Sequence, residues 1–416
     1  MNVLVIGSGG REHALCHCLA RSRALKKLFV LPGNAGTEQL GTNIPGKPDD
    51  VALALSVARR EAIDLTIVGP EDPLAAGIVD AFEENGLSIF GPRAAAARLE
   101  SDKAFAKQIM RQYAVPTADA RTFTDFQSAR EYIATRDEPV VVKAAGLAKG
   151  KGVIVCNDPS DAILAAEKML LHRAFGDAGA QIVVEERLLG REASLLVLVN
   201  GHTAFLLESA QDYKRLCDGD EGPNTGGMGS FSPTPAIDDH ALAQIQSQIL
   251  VPILDGLVRE EIPYRGVLYL GLMLTTAGPK VLEFNCRFGD PETQAILLRL
   301  RSDLLELLNA VVDGQLADVE VRWDPRPALC VVMASPGYPD KYPTGVPITG
   351  LPADTDDLAV FHAGTRREGH QVVTAGGRVL GVTALGETLA AARDRAYAAV
   401  AQIRFDGAQV RTDLGV

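Results

Sequence analysis

Cysteine is sparse and poorly spaced for cross-linking: six in 416 residues, at positions 16, 18, 156, 217, 286 and 330, with one Cys-x-Cys and no Cys-x-x-Cys. That pattern excludes a disulfide framework and zinc-type spacing, and it suits a reducing compartment. Basic charge is not in excess either. The 41 Lys and Arg stand against 53 Asp and Glu, a net charge of -12, so no global positive field exists to gather nucleic acid or an anionic membrane. Long apolar runs are lacking: Leu195–Val199 is short, and Ile249–Val258 is interrupted by Pro252, Asp255 and Gly256. Both fall below the roughly 20 residues that span a bilayer. Met1 leads straight into the strand-like Asn-Val-Leu-Val-Ile-Gly, so no secretory leader and a cytoplasmic location are expected.

What is present is ordinary globular composition, 47% hydrophobic and 23% charged, on a chain longer than one core usually grows. Two to four packed units are expected. Over residues 1–100, short aliphatic runs (Val3–Ile6, Leu28–Leu31, Leu65–Val68, Leu87–Phe90) alternate with helical patterns (Arg11–Ala20, Val51–Glu61, Leu74–Asn85). Strand followed by helix, repeated, predicts a Rossmann-like parallel sheet. A second unit, 101–325, opens with Ser101 as the predicted N-cap of a helix that Pro116 ends. Its strands (Val140–Lys143, Val153–Val155, Gln181–Glu185, Ala193–Val199, Ala204–Glu208, Gly266–Leu274, Lys280–Asn285) predict α+β rather than doubly wound architecture. The segment Asp212–Thr234 reads as one long functional loop. After Trp323-Asp324-Pro325, strands at Leu329–Ala334, Asp357–His362 and Gly377–Thr383 and a helix over Thr388–Ile403 predict a small closing β-rich domain, 326–416.

Three motifs bear chemistry. Gly7-Ser8-Gly9-Gly10-Arg11-Glu12-His13 follows the first strand, where a glycine turn aims helix N-terminal amides at an anion. A dinucleotide fingerprint wants glycine where Glu12 stands, leaving a phosphate site or a plain tight turn. Lys143-Ala-Ala-Gly146-Leu-Ala-Lys149-Gly150-Lys151-Gly152 is not Walker-type, since no Ser or Thr follows a Gly-Lys pair in it; it offers point charge and bare amides to a polyphosphate, or is a basic β-turn. On an extended Glu283-Phe284-Asn285-Cys286-Arg287, alternate residues share a face, so a carboxylate, an amide oxygen and a guanidinium project together. Hard oxygens suit Mg²⁺ and an adjacent Arg can neutralise a phosphoryl group; the alternative is a half-buried strand with a surface ion pair. No histidine sits beside a candidate nucleophile.

Taken together, GSGGREHA (7–14), PGNAGT (32–37), VGPEDPL (68–74), KAAGLAKGKGV (143–153), GPNTGGMG (222–229) and EFNCRFGDPETQ (283–294) resemble the phosphoribosylamine–glycine ligase family, of the ATP-grasp superfamily. SPGYPDKYPTG (335–345), FHAGT (361–365) and TAGGRVLGV (374–382) continue the likeness.

The resemblance implies an ATP-grasp fold at 101–325, with a lid at about 117–190. It also implies ATP-dependent joining of glycine to 5-phosphoribosylamine, through glycyl phosphate, giving glycinamide ribonucleotide, ADP and phosphate; the sequence does not fix the oligomeric state, and a monomer is favoured. Alternatives are another grasp-fold carboxylate–amine ligase or a non-catalytic nucleotide binder.

By resemblance, Glu283 and Asn285 ligate Mg²⁺ (or Mn²⁺) and Arg287 stabilises phosphoryl oxygens. Lys103, Lys143, Gly150, Lys151 and Gly152 meet the ATP phosphates, Glu185, Glu186 and Leu188 the adenine, and Glu192 the ribose. Asp212 and Lys214 carry chemistry on the acceptor side, with Asn224, Thr225, Gly226, Gly227, Met228, Asp290 and Pro291 lining it, and Gly9, Gly10 and Arg11 meeting the substrate phosphate or ribose. Ala145 departs from the Asp of the family pattern, and Tyr269–Met273 supplies no second acidic metal ligand.

Overall fold

In the computed structural model, which describes residues 1–148 and 151–416, the first hundred residues build a five-stranded parallel sheet. Its strand order is Thr42–Asn43, Lys27–Pro32, Asn2–Gly7, Leu65–Val68, Ile89–Phe90. The central strand is aliphatic from Val3 to Ile6 and wholly buried, as a parallel strand covered on both faces must be. The predicted helix over Leu74–Asn85 is broken in two, Glu71–Ala75 and Ile78–Glu84. Gly77 between them takes a left-handed φ of 82°, which a side chain would resist.

The N-cap of the helix that opens the second unit is Asp102, not Ser101 as expected. Ser101 closes the helix Ala94–Ser101, and Asp102 caps the next, Lys103–Gln112, by accepting from Phe105 N at 3.0 Å. An ionised carboxylate is the better partner for the exposed amides of a helix start. That helix also ends before Pro116, at a turn where Ala114 has φ 54°.

Four antiparallel strands (order Ala120–Phe123, Ile182–Glu186, Val140–Ala144, Val153–Val155) and two helices, Phe126–Ala134 and Pro159–Leu170, enclose a separate core that includes Ile133, Val142, Ala166, Met169 and Val184.

The largest element is an antiparallel sheet of eight strands. It runs Gly278–Asn285, Arg265–Thr275, Arg191–Asn200, Thr203–Asp212, Gly229–Ser232, Ala328–Ala334, Arg378–Leu385, Leu358–His362. The third domain therefore does not merely close the chain: its strands continue the sheet of the second. Gly229–Ser232 forms the seam, pairing Asp212 with Ser230 on one side and Ala328 with Ser232 on the other. This corrects the reading of 212–234 as one loop, since the segment also contains the hairpin Arg215–Cys217/Glu221–Asn224. A further hairpin, Thr365–Glu368/Gln371–Thr374, is not evident in the sequence pattern.

One continuous helix, Asp239–Arg259, is longer than the apolar run Ile249–Val258 suggests. By length and composition it would suffice to cross a membrane. Here Ile245, Ile249, Ile253, Leu254 and Leu257 pack into the main core against residues of the first and second units.

Candidate active site

The strand Gly278–Asn285 sets the site. Glu283 is registered against Gly271, whose lack of a side chain leaves room for the carboxylate, with Glu283 Cγ 3.0 Å from where a Cβ would lie. Asn285, two residues on, shares the face. Burial works to raise the Glu283 carboxyl, yet Lys214, Lys143, Lys103 and Arg287, in that order of effect, hold it below the usual range. Three lysines from three different elements thus converge on one carboxylate. Lys214 Nζ lies 3.9 Å from Glu283 and 2.9 Å from Glu192. Lys143 donates to Leu282 O at 3.2 Å, and Lys103 donates to Gly146 O at 3.2 Å.

On the lid side, Glu185 is buried between Lys143 and Lys107, the latter at 2.7 Å, and its backbone pairs with Ala120 on one strand and Val141 on the other. Its carboxylate is therefore paired with two lysines inside the protein. Glu186 pairs with Lys280 at 2.9 Å, and Leu188 lies past the strand end. Gly152 is buried and Lys151 is exposed, its Nζ donating to Pro339 O at 2.7 Å. Gly150 and Lys149 lie outside the described residues. Ala145 is buried, with its carbonyl accepting from Lys103 N at 2.8 Å.

The residues expected on the acceptor side gather at the seam. Burial, then Glu292, Glu192 and Glu283, raise Asp212 far above an ordinary carboxyl, against the pull of Lys214. Thr225 is tied to Lys214 O through both N (2.7 Å) and Oγ1 (2.9 Å), and Met228 N donates to Tyr213 O at 2.8 Å. Asn224 ends its hairpin strand paired with Arg215. Gly227 has φ 109°, and a Cβ there would stand 2.5 Å from Pro291 Cδ, so glycine is required both for conformation and for space. Pro291 immediately precedes the buried helix Glu292–Arg299.

Two residues with no role assigned from sequence hold this region. Arg378 donates to Gly226 O (2.6 Å) and Asp290 O (2.8 Å) and pairs with the Asp290 carboxylate at 3.1 Å; Tyr338 OH accepts from Gly226 N at 2.9 Å. Both lie in segments that carry the resemblance, but isolated Arg and Tyr on a third-domain turn and strand gave no chemical signal.

The first-domain residues behave differently. Arg11 is buried, donating to Glu12 at 2.5 Å and to Phe288 O at 3.1 Å, and Gly10 is pressed against Gln294. Arg11 thus ties the first unit to the second at Phe288. Gly9 N donates to the Glu12 carboxylate at 2.5 Å.

Arg287 bridges the units too: its Nη2 is 2.8 Å from Glu100, its Nε 3.3 Å from Glu71, and it reaches Asn285 Oδ1 at 3.4 Å. Glu71 settles at about 2, where Arg287 and then Arg11 outweigh its burial. Glu100, more deeply buried, is pushed up to about 6. Neither glutamate was singled out from sequence.

Among the described residues no group of three or more His, Cys, Asp or Glu forms a metal-binding cluster. Glu283 and Asn285 supply two hard oxygens beside a lysine-rich cleft. That donor set fits Mg²⁺, which prefers few protein ligands and completes its shell with phosphate and water. The arrangement can hold a polyphosphate against a two-residue metal strand, with an acidic and amide-rich acceptor loop alongside.

The chain matches the family models described as phosphoribosylglycinamide synthetase N domain over residues 1–100, ATP-grasp (A) domain over 101–293 and C domain over 328–416. It is 50% identical over 422 residues to a phosphoribosylamine–glycine ligase of Rhodopirellula baltica, covering 99% of this chain and 97% of that one. The crystal structure of phosphoribosylamine–glycine ligase from Thermotoga maritima superposes with a TM-score of 0.87 at 35% identity, covering 99% of this chain and 100% of that one. A biotin carboxylase domain of Hydrogenobacter thermophilus 2-oxoglutarate carboxylase, solved with magnesium ADP and bicarbonate, shares the fold at a TM-score of 0.76 and 16% identity, covering 98% of this chain and 91% of that one. With three family models in register along its length and half its residues identical to a full-length relative, this chain belongs to the phosphoribosylamine–glycine ligase family.

Proposed function

We propose that this chain joins glycine to 5-phosphoribosylamine at the expense of ATP, and that it does so at the cleft between the lid sheet and the strand Gly278–Asn285. The observation that carries the reading is the convergence of Lys103, Lys143 and Lys214 on Glu283, with Asn285 beside it. A carboxylate is a poor electrophile because its charge repels an amine and oxide is a bad leaving group. Transfer of the terminal phosphoryl group of ATP to a glycine carboxylate oxygen gives glycyl phosphate and ADP. The acceptor amine then attacks the carbonyl carbon, a C–N bond forms, the C–O bond to phosphate breaks, and the amine loses a proton.

Glu283 and Asn285 would hold Mg²⁺ or Mn²⁺, which when bound offsets charge on the phosphate oxygens. Lys103 and Lys143 bind the phosphates, and Arg287, oriented by Glu71 and Glu100, presents its guanidinium beside Asn285. Lys151 and Gly152 belong to the turn that covers the nucleotide, and Glu186, Leu188 and Glu192 take its nucleoside end. Asp212 and Lys214, with Asn224–Met228, Asp290 and Pro291, orient glycine and the acceptor amine.

The test is ADP release with phosphoribosylamine generated in place. Release that needs both glycine and the amine supports the reading. Release indifferent to glycine points to another carboxylate, and nucleotide binding with no release under any condition points to a non-catalytic protein.

A further inference from the structure

The turn Ser335–Gly345 touches two parts of the molecule that must act in sequence. Its base is fixed to the third-domain sheet: Ser335 N donates to Gly377 O at 2.7 Å, Ser335 Oγ to Gly376 O at 2.8 Å, and Gln409 Nε2 to Ser335 O at 2.6 Å. The Tyr338 ring fills the space over Gly377, where a Cβ would lie 2.3 Å from the ring, and tilts against Tyr342 with centroids 6.4 Å apart. So anchored, two successive residues point in two directions. Tyr338 OH accepts the Gly226 amide of the acceptor loop at 2.9 Å, and Pro339 O accepts the Lys151 ammonium of the lid at 2.7 Å.

From this geometry we propose, resting on the function above, that Tyr338 is a positioning residue and that Tyr338-Pro339 is a fixed post shared by lid and acceptor loop, coupling nucleotide binding to acceptor binding.

The physical argument is one of shared order. A lid must open to admit nucleotide and close over it. When closed, its Lys151 is held by a carbonyl one residue from the hydroxyl that holds Gly226. Gly226 precedes the left-handed Gly227, and its carbonyl is fixed by Arg378, from the same domain as the turn. A ligand that stabilises the closed lid thus stabilises the turn, and the turn fixes the loop. By linkage the effect is reciprocal: whatever factor nucleotide adds to acceptor affinity, the acceptor must add to nucleotide affinity.

The experiment uses the full chain, with ADP and glycinamide ribonucleotide as stable probes, in calorimetric titrations of each with and without the other. The intact protein should bind glycinamide ribonucleotide at least about fivefold more tightly with ADP present, within the usual range of such couplings. Tyr338→Phe keeps the ring and removes the hydroxyl; it should weaken glycinamide ribonucleotide several-fold, raise KM for phosphoribosylamine and leave the affinity for ADP titrated alone within twofold. Lys151→Met, whatever it does to ADP affinity alone, should bring the coupling ratio near one, and Lys151→Arg should restore it.

Absence of coupling in the intact protein, or an unchanged ratio in Lys151→Met, overturns the shared post. Equal losses for the two ligands, each titrated alone, in Tyr338→Phe would make the hydroxyl merely structural and overturn its positioning role. Failure of glycinamide ribonucleotide to bind at all would instead sink the functional reading.

Discussion

Arg287 and Glu100 meet at 2.8 Å where the strand carrying the candidate metal ligands leaves the sheet. Glu100 also accepts from Cys286 N at 2.6 Å, so one side chain fixes both the backbone and the guanidinium just beyond Asn285. Removing one partner of a buried pair leaves the other charge uncompensated, at a typical cost of about 3–5 kcal/mol. Glu100→Ala is expected to lower the urea midpoint accordingly and to reduce turnover with it. A variant as stable as the parent would mean that Glu71 alone secures Arg287.

Glu283→Ala is expected to cut ADP release by more than about 100-fold, the scale on which loss of a transition-state charge partner acts. The same variant should stay folded, because the carboxylate is partly exposed. Raising Mg²⁺ should not restore the rate; a full rescue would place the metal elsewhere.

Asp212→Asn keeps the shape of the side chain at the seam with Ser230 but removes the titratable proton of a carboxyl that burial has pushed up to about 8. We expect turnover and the affinity for glycine or phosphoribosylamine to fall, while ATP affinity changes by less than about twofold. An effect confined to ATP would move this residue out of the acceptor site.

His362 is buried at the junction of the first and third units, its N–H donating to His13 Nδ1 at 2.8 Å and its ring bonded to Thr365 Oγ1 at 3.0 Å. Burial, aided by Arg367, depresses it to about 4, so the unfolded chain takes up a proton first as pH falls. The contribution to stability is therefore full above about pH 6.5 and is lost as pH falls from there toward 4, at up to about 1.4 kcal/mol per pH unit. Urea unfolding at pH 7 and pH 5 should show a shallower pH dependence for His362→Asn than for the parent. Identical slopes would assign the acid sensitivity to other groups.

Much of this architecture is legible in the sequence because local signals agree with the fold. Val3–Ile6 is an uninterrupted aliphatic run and Leu65–Val68 is broken only by the β-branched Thr66, and both sit in the interior of a parallel sheet. Glu283 and Asn285 share a face because strand periodicity allows nothing else.

Other features depend on partners far away in the chain. Nothing near Glu185 announces that Lys107 and Lys143 will neutralise it, nor does Arg11 advertise Phe288 O as its acceptor. Tyr338 and Arg378 acquire their importance only when Gly226 and Asp290 are folded against them. The seam strand Gly229–Ser232 escapes notice for a different reason: it is four residues, two of them serine, without the apolar alternation by which strands are recognised.

That short strand decides how the chain can be cut. Because Ala328–Ala334 borrows its hydrogen-bonding edge from Gly229–Ser232, a protein shortened at about residue 325 would present raw, unpaired amides and carbonyls beside the acceptor loop. The last ninety or so residues are consequently no detachable accessory, and the truncated chain is one that would stick to its own copies before it could work.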